Sequence, residues 1–278
     1  MSYPPSSLEA ARPLFLSRKS AQLFARLRRS NALAWALPAL LLAFWQASAS
    51  LGFLANNILP APAAVVLAGW KLAVSGELAK NVGISFLRAM AGLVVGGGIG
   101  FAFGLANGLS RLSEKLTDTT LQMARNIPHL ALIPLVILWF GIEEQAKLFL
   151  VALGVFFPIY INTLHGIRNV DPQLVEMGRN YGLTTPALLR RVIFPGALPS
   201  ILVGLRYGLG IMWLTLIVAE TIAAQSGIGY MAMQAREFMQ TDIVVFSILI
   251  YAALGKLADS TARLIETRCL AWHPAFQD

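Results

Sequence analysis

The chain has 278 residues, 56% of them hydrophobic and only 13% charged. Soluble domains carry nearer a quarter charged residues, so a water-soluble globular fold is excluded and the bilayer is the solvent for most of the chain. The net charge of +8 fits Lys and Arg held on the cytoplasmic side of a membrane protein rather than a nucleic-acid surface, and the lone Cys269 excludes an internal disulfide and a Cys/His metal cluster.

In chain order, Arg26, Arg28 and Arg29 precede an apolar run from Ala32 to Trp45. Ala47-Ser48-Ala49 has the small-x-small form of a signal cleavage site. The run continues through Leu51 to Leu54, however, and its charged leader is about thirty residues long, which is too long for a signal peptide. A retained first helix is therefore expected. Runs of bilayer length (roughly 17–25 residues) fall at 32–54, 84–109, 119–140, 146–165, 199–224 and 242–262, predicting six spans. The third is interrupted by Arg125, Asn126, Pro128 and His129.

Along the second span, Gly92, Gly96, Gly100, Gly104 and Gly108 recur at every fourth position. At 3.6 residues per turn they form a bare stripe, where a second helix can approach closely. The spacing does not say whether that helix belongs to this chain or to a second copy. On the third span, Gln122, Arg125, Asn126 and His129 fall at i, i+3, i+4 and i+7, one helical face. Intramembrane ionisable groups face cavities or partners, so these four are candidates for lining a pathway. Asn162, His165, Glu220 and Thr221 read as packing hydrogen bonds.

Charge sets direction. With the N-terminus inside, fifteen Lys and Arg lie in cytoplasmic segments and four (Lys71, Lys80, Lys147, Arg236) in outer loops. This bias places both termini in the cytoplasm. The stretch after the fourth span, "EMGRNYGLTTPALLRRVIFPGALPS" (176–200), is then cytoplasmic as well. Asp171-Pro172 reads as N-cap and N1, and Leu174, Met177 and Tyr181 share one face. Gly182 is placed to end the helix in the left-handed conformation. Thr185-Pro186 opens a second short helix, Pro195 stops it, and Pro199 opens the next span. Such a helix–turn–helix suits either an interfacial loop on lipid or a docking element for a soluble partner.

No G-x-x-x-x-G-K-[ST] loop, nucleophile elbow or H-E-x-x-H is present, so the chain is not expected to hydrolyse ATP or act as an enzyme alone.

Glu176-Met177-Gly178, then Gly182, then Ile193-Phe194-Pro195 resembles the EAA loop of bacterial ABC importer permeases, with Met177 and Gly178 in place of two alanines. "RNIPHLALIPLVILWFGI" (125–142), "FFPIYINTLHGIRNVDP" (156–172), "MWLTLIVAETIAAQSGIGY" (212–230) and "AREFMQTDIVV" (235–245) resemble the subgroup serving sulfonates, taurine and nitrate. "YAALGKLADSTARLIE" (251–266) with "WHPAF" (272–276) is most similar to aliphatic sulfonate permeases. The resemblance covers nearly all of residues 30–276.

It implies an all-α, polytopic inner-membrane protein of about six transmembrane helices, type I permease-like. The organisation would be a leader at 1–30, a transmembrane domain at 31–266 with the coupling loop at 171–198, and a cytoplasmic tail at 267–278. It further implies a homodimer, two cytoplasmic ATPase subunits gripping Glu176, Met177, Gly178, Gly182 and Pro195, and a periplasmic substrate-binding protein. The chain itself would bind no cofactor and no metal; ATP and Mg would be used by the ATPase. An ion-coupled secondary transporter, which would need inverted repeats and buried midplane carboxylates, and a non-transporting membrane scaffold are the competing classes. Glu220 is the candidate acid for the first.

Overall fold

The computed structural model describes residues 32–55 and 58–272. The leader at 1–30 and the tail from 273 onward, including most of the WHPAF segment, lie outside the described residues. The elements are α1 (Ala32–Ser50), α2 (Pro62–Val74), α3 (Glu77–Leu109), α4 (Arg111–Arg125), a 3-10 turn (His129–Leu132) and α5 (Ile133–Phe140), followed by α6 (Glu144–Arg168) and α7 (Pro172–Asn180). After them come α8 (Thr185–Leu188), a π turn (Leu189–Ile193), α9 (Phe194–Ala223), α10 (Ile228–Glu237) and α11 (Thr241–Cys269). Among the described residues there is no strand. The chain divides into two units after Ala63. The first contains α1, with Pro38 in its interior. Everything below concerns the second.

Among the described residues, four helices are long and apolar enough to cross a membrane: α3, α6, the continuous run Thr185–Ile222, and α11. The pair 111–125 and 129–140 makes a fifth if counted as one bent span, while α1 and α2 belong to the shorter apolar helices. Of the six expected spans, four or five are therefore found among the described residues, and α1 is the shorter remainder.

Helix α6 is the central post. On one side it meets the glycine stripe of α3. A Cβ at Gly100 would lie 2.5 Å from the Phe156 carbonyl oxygen, and one at Gly104 would lie 2.6 Å from Thr163 Cβ and 2.8 Å from the Tyr160 carbonyl oxygen. Gly92 faces Val151, Gly96 the Ala152 backbone, and Gly108 faces Ile167. The stripe therefore lies against a helix of the same chain. On the other side, Gly204 and Gly208 of α9 sit against Asn162 and Ile159 of α6. Between the helices, Ala89, Val155, Met212, Leu216 and Ile228 are fully buried in one apolar cluster. Gly100→Ala will push backbone against backbone and lower stability by about 1–3 kcal/mol. Gly98→Ala meets nothing within 4 Å and will raise it by about 0.5–1 kcal/mol, the helical cost of glycine. Thermal midpoints in detergent compare the two; equal shifts would remove the stripe as the packing seam.

Three expectations are corrected. The third span, expected as one helix over 119–140, is two segments meeting at 81°. Pro128 has no N–H to continue the ladder and disfavours helical geometry at Ile127, and Asn126 caps α4. The second is Pro195, which does not stop a short helix. The chain is helical without a gap from Thr185 to Ile222, with Pro195 in the first turn of α9 and Pro199 inside it. A proline at 195 gives the Arg191 carbonyl no donor and crowds it. The wider π turn over 189–193 takes up that misfit in place of a break. The helix also begins one residue earlier than expected, with Thr184 rather than Thr185 at the N-cap.

Candidate functional site

The loop at 171–198 is built from local chemistry. Asp171 caps α7, its side chain accepting from Gln173 N at 2.8 Å, with Pro172 in the first turn. The far end closes with Gly182 at φ +78°. Gly182 N donates to Arg179 O (2.9 Å) and Leu183 N to Gly178 O (3.1 Å), the paired bonds of a Schellman cap. Gly178 is buried beneath Leu183 and Leu188, so the absence of a side chain there lets α8 fold back on α7. Below the loop, Ile167, Val170 and Ala197 form a buried cluster with Val175, Val192 and Ile201 against it, which anchors the corner to α6 and α9. The outer face is bare. Leu174, Met177 and Tyr181 are exposed, as are Glu176, Arg179, Arg190 and Arg191. Pro195 is half-buried.

At the opposite end, 25 helical residues away along α6, lies a buried polar network. Glu220 on α9 accepts from Arg88 Nη1 (2.8 Å), Ser85 Oγ (2.8 Å), Tyr251 Oη (3.0 Å) and Gly229 N (3.0 Å). Arg88 also donates Nε and Nη2 to the two oxygens of Glu144, each at 2.5 Å, and Nη1 to Ser226 O (2.6 Å). Lys147 donates to Glu144 (3.3 Å) and to Ile142 O (3.2 Å). Lys147 is thus a buried helix residue rather than an outer-loop charge. Glu220 is the packing group the sequence indicated, and it joins α3, α9, α10 and α11, with α6 linked through Arg88 and Glu144. Arg88 lies inside the expected span at 84–109, and its partner is 132 positions distant.

The bend parts His129 from the other three candidate pathway residues. The helix ends at Arg125, which is exposed along with Asn126. Gln122 turns back to Asp118 Oδ1 (3.3 Å). His129, past the bend, points inward, its Nε2 3.0 Å from the buried Thr215 Oγ1 and against the bare backbone of Gly154.

A cavity of about 620 Å³ lies instead between α9 and α11, lined by Val203, Tyr207, Gly210, Ile211, Leu214 and Gly255 with Arg206 and Asp259 at its polar edge. Arg206 lies inside the expected span at 199–224. Among the described residues no cluster could hold a metal ion.

A family model described as "Binding-protein-dependent transport system inner membrane component" matches residues 96–270. The chain belongs to this family. The permease is 61% identical over 242 residues to a putative aliphatic sulfonates transport permease protein, SsuC, of Escherichia coli (strain K12), covering 87% of this chain and 92% of that one. It is 35% identical over 244 residues to the taurine transport system permease protein TauC of the same organism, covering 86% and 89%. In fold it matches a chain in the crystal structure of an amino acid ABC transporter with histidines, with TM-score 0.58, 18% identity, and coverage of 73% of this chain and 96% of that one. The permease is therefore a membrane protein with the fold of ABC importer permeases.

Proposed function

We propose that the permease forms, as a homodimer, the channel of an ATP-driven importer of aliphatic sulfonates. Two ATPase subunits dock on the two 171–198 loops from the cytoplasm, using ATP and Mg, and a periplasmic binding protein delivers substrate. Both termini are cytoplasmic in this reading, and the Arg88–Glu220 network lies at the outer end. The carrying observation is the exposed face of α7 on a stiff corner. Leu174, Met177 and Tyr181 are apolar side chains left open on a helix closed at both ends, and their exposure suits a protein partner.

The joint to the span sharpens the mechanism. Because the helix is unbroken from Thr185 to Ile222, a displacement of the α7–α8 corner passes directly into α9. That helix lines the seam with α6 and the cavity against α11. ATP-driven closure would thus swing α9 and exchange inward-open for outward-open states. The greater identity to the sulfonate permease than to the taurine permease supports a sulfonate cargo. The ion-coupled alternative loses its candidate acid, since Glu220 is held by four donors.

Growth of a deletion strain on single sulfur sources tests the cargo. Loss of growth on alkanesulfonates with growth on sulfate and taurine intact is the expected result. Loss on taurine alone, or loss only with nitrate as nitrogen source, would overturn it.

A further inference from the structure

We infer that the α9–α11 cavity is where the anionic cargo is held during passage, with Arg206 gripping the sulfonate head and the apolar walls holding the tail. This inference rests on the functional reading above.

Arg206 is seven residues into the expected span at 199–224, roughly 10 Å along the helix, so it lies inside the span. A guanidinium there faces a cavity or a partner, not lipid. It is only 37% exposed, and it opens on a cavity of about 620 Å³. Its Nε and Nη2 both reach the same Asp259 oxygen, at 2.8 and 2.7 Å. Nη1 is 3.8 Å from Glu266 Oε2, beyond hydrogen-bond reach, which leaves donors for an incoming oxyanion. Lys256 and Arg263 also hold Asp259, at 3.5 and 3.1 Å. The cluster thus has three cations against two carboxylates, so Asp259 keeps charge partners when Arg206 turns to an anion. The excess cation matches one sulfonate.

The walls match the rest of such a molecule. Val203, Tyr207, Ile211 and Leu214 give an apolar surface, and a Cβ at Gly210 or Gly255 would meet nothing within 4 Å. A guanidinium beside an apolar trough is complementary to an aliphatic chain ending in an oxyanion. An anionic lipid headgroup offers similar chemistry, so the test separates the two sources.

The measurement is uptake of methanesulfonate and 1-hexanesulfonate by proteoliposomes containing permease, ATPase and binding protein. Arg206→Gln/Asp259→Asn removes both charges together and keeps a hydrogen-bonding pair. Uptake of both sulfonates will fall about tenfold or more, the loss of a charge-assisted bond, with the complex recovered intact. Arg206→Lys keeps the charge without the fork and will be intermediate. Gly210→Leu fills the trough and will depress hexanesulfonate uptake while sparing methanesulfonate. Wild-type uptake by the double variant would show that the pair only ties α9 to α11 and would overturn the inference. So would a chain-length-independent effect of Gly210→Leu. A defect of the double variant seen only when phosphatidylglycerol is added to phosphatidylcholine vesicles would assign Arg206 to a lipid headgroup and overturn it too. A wild-type complex that takes up neither sulfonate would overturn the functional reading itself.

Discussion

Glu176→Lys will leave the permease folded in the membrane, yet uptake will fall at least about tenfold and the ATPase will be lost on purification. The side chain is exposed on α7, and surface substitutions of this kind change stability by only about 0.5 kcal/mol. A rim charge reversed against a partner costs affinity and association rate instead. Gly182→Asp tests the same docking through the corner. Open space surrounds Gly182, so the cost is the left-handed φ of +78°, about 1–2 kcal/mol and least for Asp and Asn. A carboxylate at a helix C-terminus adds an unfavourable dipole contact. The helix will fray at its last turn, and Leu174, Met177 and Tyr181 will lose their common face. Glu176→Lys should therefore act on docking alone, whereas Gly182→Asp also loosens the lever. Normal uptake with a retained ATPase in Glu176→Lys would remove α7 as the docking helix.

The parts of this loop that could be read in the sequence are those fixed by neighbouring residues. Asp171-Pro172 and Gly182 act within one turn, so their caps follow from side-chain and backbone chemistry alone. Pro195 misled because proline removes a hydrogen bond but does not dictate how the chain absorbs the loss. A break and a π turn satisfy the same constraint, and burial of Val192, Ile193 and Ala197 against α6 and Val170 favours continuity. The third span misled for the reverse reason: its hydropathy is continuous, while Asn126 and Pro128 break the backbone beneath it. The expected face is therefore cut at the bend, and Arg125 and His129 part company. The glycine period gave the close approach but not the partner, because a bare stripe carries no information on which helix fills it. Least legible were the long-range pairs. Arg88 with Glu220, and Arg206 with Asp259, could be found only by asking which ionisable residues fall at equal depth in adjacent spans.

That question leads to the largest stability effect expected in the molecule. Glu220→Ala will cost about 3–5 kcal/mol, the range for breaking a buried ion pair from one side. The carboxylate is fully buried, and its removal strands Tyr251 Oη and Gly229 N as well as one arm of Arg88. Glu220→Gln will recover only part, because an amide nitrogen must face donors on at least one side. Glu144→Ala removes the other carboxylate from the same guanidinium, and does so with shorter bonds. Yet Glu144 is 55% exposed against 5% for Arg88, so water replaces it and the loss will be about 1 kcal/mol or less. Distance and burial thus rank the two carboxylates in opposite orders, and burial decides. Unfolding of the purified permease in detergent, followed by its thermal midpoint, measures both. Because Glu220 binds the 224–229 turn to α3 and α11, Glu220→Ala will also expose that turn to protease, while Glu144→Ala will not. Equal destabilisation by the two alanine substitutions would show that the network is held by its shortest bonds rather than by its driest member.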